Sequence, residues 1–363
     1  MHVVIDYDSS RADRAASRGV SASAIALVIL LLVVGVIIAS LVMVASTTQN
    51  ISEAVVQIET TSVRVPTSSP ILEISLQTTP TDPPPGETGG ETQALFSFGD
   101  KGTGNGKFQD ARAIALNGTG DVFVADYATG RVQRFTEGGE FVQAYKISVK
   151  NKTAIRCLRA DRKGVLYVCG GGEILKIDIE TGEPVGKIVD SSISFLDNFA
   201  FSPEGNLLAL SAAAARDDLI IFSPAGRVTG RVDKLVSTIT ENSQSTLDII
   251  ADGVGNIFVL SSRENAIFKF TADGKFVDRF GEEGDGPGQL RSPSAIEVDS
   301  SGRIYVSDAR QIVVFSADGR HLQSIEVDRL PGAIRDMAFN SKDELFFTAG
   351  DQVHVIAVEA YLK

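Results

Sequence analysis

From Phe280 to Asp308 the chain reads FGEEGDGPGQLRSPSAIEVDSSGRIYVSD: a glycine-rich loop, an apolar strand, an Asp-x-x-Gly turn and a second apolar strand. The same pattern runs from Phe98 to Asp126, FGDKGTGNGKFQDARAIALNGTGDVFVAD, with Gly99, Gly102, Gly104 and Gly106 spaced as Gly281, Gly284, Gly286 and Gly288. Two such windows mark an internal repeat. Anchoring on the turn finds six copies: Asn117–Gly120, Asp161–Gly164, Ser202–Gly205, Asp252–Gly255, Asp299–Gly302 and Asn340–Asp343. Their last residues lie 41 to 50 positions apart, the length of one four-stranded blade.

The columns around the turn agree. Three residues before it stand Ile114, Leu158, Phe199, Ile249, Ile296 and Met337; three residues after it stand Phe123, Tyr167, Leu208, Phe258, Tyr305 and Phe346. Side chains alternate across a strand, so these columns predict faces packed between sheets. The turn glycine predicts the left-handed residue of a bulged hairpin. A second turn column, Gly139, Gly182, Gly226, Gly274 and Gly319, predicts an outer hairpin in each blade. The sixth copy has no outer hairpin before Lys363, while Ala94–Phe98 resembles the fourth strands ending in Phe280 and Ile325. This segment is therefore expected to be the outer strand of the last blade, closing the ring and removing an exposed edge.

The pattern resembles the NHL repeat family of six-bladed β-propellers over roughly residues 93–363. The glycine loop followed by IEVDSSGRIYVSD carries the resemblance. It implies an all-β propeller that serves as an interaction platform, as in the outward-facing sensor domains of some bacterial receptor kinases. No kinase or other effector accompanies it here.

Upstream, Ala24–Ala45 is a 22-residue apolar run broken only by Gly35 and Ser40. That is long enough for one transmembrane helix and longer than a signal-peptide core. Arg11, Arg14 and Arg18 precede it and no basic residue follows before Arg64, so the N-terminus is expected in the cytoplasm and the propeller outside the membrane. The predicted organisation is a cytoplasmic tail (1–20), a transmembrane anchor (21–46), a Thr/Ser/Pro-rich linker (47–92) and the propeller (93–363). The linker ends in TTPTDPPPGETGGETQ, a stiff proline run before a flexible glycine one. Asn50, Asn117 and Asn151 begin N-x-S/T triplets.

Net charge is −12 for the 363 residues. After residue 92 there are 30 basic and 37 acidic residues, so the propeller is itself acidic and a poor polyanion binder. Nucleic acid is not an expected partner. Cys157 and Cys169 fall opposite each other if the Asp161–Gly164 hairpin has three loop residues. A disulfide and two buried free thiols both remain open, and the wider spacing of a hydrogen-bonded pair favours thiols.

Three His residues, His2, His321 and His354, form no metal-ligand spacing. Propeller lyases resembling this family use a histidine-bound zinc, for which the histidines are missing. Lactonase-like propellers resembling this family use calcium held by central carboxylates and amides; Asn198, Asp248 and Asp336 share one column near the start of the first strand, which keeps that option open. They are expected to be solvated residues at loop ends. The glycine loops precede strands, not helices, and read as blade-to-blade crossovers rather than phosphate cradles. No catalytic set and no cofactor motif is visible.

One column suggests binding. Five residues before each turn stand Arg112, Arg156, Asp197, Leu247, Ser294 and Arg335, where the family usually has glycine. Blades 6, 1 and 2 are neighbours in a closed ring, so Arg335, Arg112 and Arg156 are expected on one arc of the channel rim. Such an arc would take a carboxylate or phosphate bidentately, unless each Arg pairs locally with Asp110, Asp197 or Asp336. Loops between second and third strands add Tyr127, Arg131, Arg216, Arg263 and Arg310 as rim contacts. The expected function is a membrane-tethered, extracytoplasmic module binding a protein or an anionic small molecule or saccharide. The alternative is a channel-site hydrolase or lyase using a divalent cation.

Overall fold

Each of the six turns closes a hairpin, and its last residue takes the left-handed conformation. Gly120, Gly164, Gly205, Gly255 and Gly302 have φ between 79° and 101°, and Asp343 takes φ 56° in the sixth copy. In the computed structural model, residues 94–149, 154–213, 216–309, 311–327 and 330–362 are described. The anchor and linker, Asn50, Asn151 and Arg310 lie outside them. Among the described residues no helix is long and apolar enough to cross a membrane.

The strands form six four-stranded antiparallel sheets. Blade 1 spans Ala111–Lys146, blade 2 Cys157–Val189, blade 3 Asn198–Val232, blade 4 Leu247–Phe280 and blade 5 Pro293–Glu326. Blade 6 takes three strands from Ile334–Ala357 and its fourth from Phe96–Phe98. There Phe96 pairs with Val355, Ser97 with His354 and Phe98 with Val353. The expected ring closure is present. The chain is a six-bladed β-propeller.

Both apolar columns are inter-blade core. Ile114, Leu158, Phe199, Ile249, Ile296 and Met337 are at most 1% exposed. The buried apolar side chains fall into one cluster per blade junction, from blades 1 and 2 round to blades 6 and 1. Packing therefore runs around the ring, not towards a single centre. The glycine loops are crossovers, as expected: Asp100 and Lys101 pair with Lys107 and Phe108, and Glu283 bridges to Leu290. Phe108 and Leu290 plug the junctions at 0% exposure.

Cys157 and Cys169 are directly opposed and joined by a disulfide, with Cα atoms 5.2 Å apart. The expected opposition holds, and the preference for free thiols is corrected: this spacing lies within bridging range. Asn117 is 3% exposed, and its amide donates to Asp121 at 2.7 Å inside the turn. It is a turn residue with no side chain free for a glycan.

Candidate ligand-binding site in the channel

The six innermost strands run in one direction around the axis, so their starts form one channel mouth and their ends the other. The first strands of blades 1, 5 and 6 begin with an irregular register, between Ala111 and Ala113, Pro293 and Ala295, and Ile334 and Asp336. The extra residue in each is Arg112, Ser294 or Arg335. A bulge re-aims its side chain out of the sheet. All six residues of that column, Arg112, Arg156, Asp197, Leu247, Ser294 and Arg335, line one cavity of ≈ 240 Å³ at the first mouth. The three guanidinium groups expected on one arc do share this cavity.

They are not equivalent. Arg112 is ion-paired to Asp110 at 2.8 Å and lies over the Tyr127 ring, 3.8 Å from its centroid. Asp110 raises the Arg112 pKa through that hydrogen bond. Arg156 lies over Phe195 at 4.5 Å and comes within 4.0 Å of the Asp197 carboxylate. Local pairing thus holds for these two. Arg335 is exposed and makes no hydrogen bond or ion pair among the described residues. Of the three arginines lining this cavity, it is the one without an ion pair among the described residues. Ser294 and Ser262 line the cavity but donate to the Ile334 and Pro293 carbonyls, both at 2.7 Å.

Behind the arginines lie Asn198, Asp248 and Asp336. They are only 9%, 8% and 6% exposed, which corrects the expectation of solvated loop-end residues. Asp248 accepts from its own strand, Ile249 N–H at 2.7 Å, and from the next blade, Ile296 N–H at 3.0 Å. Asp336 does the same with Met337 N–H at 3.0 Å and Ile114 N–H at 2.9 Å. The Asn198 amide donates to Asp248, and its oxygen accepts from Phe199 N–H at 2.8 Å. These side chains latch neighbouring blades. Burial raises the pKa of Asp248 and lifts that of Asp336 to about 7, against the lowering effect of Arg159. No group of His, Cys, Asp and Glu with metal-holding geometry occurs among the described residues.

The rim residues divide further. Tyr127 lines the cavity. Arg131 is half-buried and donates to the Gly104 and Lys107 carbonyls at 2.8 and 3.3 Å, so that it staples the glycine loop. Gln133 completes that staple through Gly106 N–H and the Lys107 carbonyl. Arg216 is ion-paired to Asp218 and Asp233 at 2.9 and 3.3 Å. Arg263 is exposed, outside the cavity lining.

Sequence reading missed Arg159 and Glu297. Both stand two residues before the turn, in a column otherwise made of Ala115, Ala200, Ile250 and Ala338. A charge in an otherwise small or apolar column was the available signal.

Residues 237–359, about a third of the chain, match the family described as a 6-bladed beta-propeller. No curated protein sequence is detectably similar to the chain. A gluconolactonase from Xanthomonas campestris superposes with a TM-score of 0.54 at 18% identity, over 70% of this chain and 88% of that one. A virginiamycin B lyase from Staphylococcus aureus gives 0.51 at 12% identity, over 68% and 80%. At these identities the likeness is one of fold.

Proposed function

We propose that the protein is a membrane-tethered, extracytoplasmic binding module whose first channel mouth takes an anionic group. The observation that carries this reading is Arg335, an exposed guanidinium with no hydrogen-bond or ion-pair partner among the described residues, in one cavity with Arg112 and Arg156. Two flanking arginines held by Asp110, Tyr127, Phe195 and Asp197 give a preorganised floor, and Arg335 supplies the uncompensated charge. The partner is a small carboxylate, phosphate or acidic saccharide, or an acidic side chain of a protein docked on the rim.

The tether is the apolar run Ala24–Ala45, with the propeller on the far side from Arg11, Arg14 and Arg18. The Cys157–Cys169 disulfide supports this placement, because such bonds persist in oxidising compartments. The cation-dependent hydrolase or lyase has less support. The oxygens of Asn198, Asp248 and Asp336 already accept backbone N–H groups that hold the blades together.

The test is thermal melting of the full-length chain across a panel of anionic sugars, nucleotides, dicarboxylates and calcium. A ligand that raises the melting temperature of wild type, but not of Arg335→Ala or of Arg112→Ala with Arg156→Ala, supports the reading, since native-state binding must stabilise. A calcium-induced rise that survives those substitutions and is lost in Asp248→Asn overturns it in favour of the enzyme.

A further inference from the structure

The junctions between blades 2 and 3 and between blades 5 and 6 are built alike. Tyr167 and Tyr305 stand three residues after their turns, and Phe201 and Phe339 stand immediately before the next ones. In both junctions the two rings meet edge to face with centroids 4.9 Å apart. In both the tyrosine hydroxyl donates to the first aspartate of its turn, Tyr167 to Asp161 at 3.3 Å and Tyr305 to Asp299 at 3.0 Å.

What covers them differs. The C-terminal turn Val358–Ala360 packs on the blade 5–6 junction. There Val358 and Tyr305 are both 0% exposed, and the Glu359 carboxylate is ion-paired to Arg303. Leu207 pairs with Phe222 as Leu345 pairs with Ile356, so Pro224 holds the position in blade 3 that Val358 holds in blade 6. Blade 3 turns away at that point into its outer hairpin, leaving Pro224 exposed and Tyr167 only half-buried. A cavity of ≈ 640 Å³ opens there, with Tyr167, Phe201, Ile188 and Leu207 among its walls.

Arg162 and Lys163, in the blade 2 turn, line the same cavity. Both are exposed, and their side chains make no hydrogen bond or ion pair among the described residues. The carboxylates of the cavity are engaged locally. Asp161 accepts Lys163 N–H at 2.8 Å and Val165 N–H at 2.9 Å besides the Tyr167 hydroxyl, and Glu204 accepts the Ser202 hydroxyl at 2.6 Å.

We propose that the groove between blades 2 and 3 docks a peptide segment of a partner protein. The segment brings an apolar side chain onto Tyr167 and Phe201 and an adjacent carboxylate to Arg162 and Lys163. The chain's own Val358 and Glu359 are the template, since they cover the matching Tyr–Asp–Phe set in the same way. Two unpaired cations beside an apolar groove, in an acidic domain, select an acidic segment over a basic one. The groove is formed where the first strands end, so it is separate from the Arg335 mouth and does not depend on it.

The experiment is fluorescence anisotropy of the full-length chain with a labelled, end-capped peptide of residues 357–362, AVEAYL. Wild type is expected to bind it. Replacing the peptide's glutamate by lysine should weaken binding by at least about tenfold, as should Arg162→Glu combined with Lys163→Glu. Both substituted residues are exposed turn residues, so the melting temperature should hold. Arg335→Ala should leave binding intact. So should Arg303→Glu, because the peptide is not expected to take the tail's own place. No binding in the millimolar range overturns the proposal. So does binding that survives the double charge reversal, tolerates the lysine peptide, or is lost in Arg335→Ala or Arg303→Glu.

Discussion

Asp336 Oδ2 accepts the N–H of Ile114 at 2.9 Å, joining blade 6 to blade 1 across 222 positions of sequence. The Asp248–Ile296 bond at 3.0 Å is its counterpart between blades 4 and 5. An acceptor is what both junctions require. Asp336→Ala strands a buried N–H and should lower stability by about 1–3 kcal/mol. Asp336→Asn keeps an acceptor and should retain most of it. Urea unfolding of the two variants measures the difference; equal losses would show that the charge, not the hydrogen bond, matters there.

Ring closure should be visible in truncations. Residues 96–98 cover the outer edge of the third blade-6 strand, and Phe98 packs on Phe135 with ring centroids 4.9 Å apart. A chain starting at residue 99 uncovers that edge. Compared with one starting at residue 93, it should melt lower and associate with rising concentration, as read by light scattering. Equal melting and equal scattering would mean that the terminal strand adds nothing.

The channel carboxyl groups predict a pH dependence. The Glu297 pKa rises from an ordinary 4.5 to about 7 through burial, with Arg159 pulling the other way. A carboxyl raised on folding holds a proton that the unfolded chain has lost. Its contribution is complete below about pH 4.5 and fades as pH climbs through 7. Glu297→Gln cannot lose that proton. The variant should therefore gain on wild type between pH 5 and pH 8, by a difference of order 1–3 kcal/mol. A constant offset across that range would show that Glu297 titrates normally.

Two glycines separate backbone strain from crowding. Gly302 has φ 79°, and a Cβ there would meet nothing within 4 Å. Gly319 has φ 83°, and a Cβ would lie 2.7 Å from the Phe280 ring. Gly302→Ala should cost about 1–2 kcal/mol from the left-handed conformation alone. Gly319→Ala adds overpacking and should cost about 1–3 kcal/mol more. Chemical denaturation of both variants gives the comparison, and equal losses would remove crowding as a cause.

The number of blades, their turns and the strand that closes the ring are all legible in the chain itself. Strand alternation and left-handed turn glycines are local rules, and six copies let each position be checked against five others. The same columns placed Arg112, Arg156 and Arg335 at one mouth, because equivalent positions in a closed ring share a height. The state of each side chain was not legible. Arg131 reads as a rim cation, yet its reach to the Gly104 carbonyl depends on how the glycine loop folds over blade 1. Asp248 and Asp336 read as solvated, yet their burial follows from how closely the next blade's backbone approaches. Arg159 and Glu297 are 138 positions apart, and only closure of the ring sets them on opposite walls of one chamber. Strand period and turn chemistry act over a few residues and can be read from order alone; burial, pairing and charge balance depend on distances that only the packed blades establish.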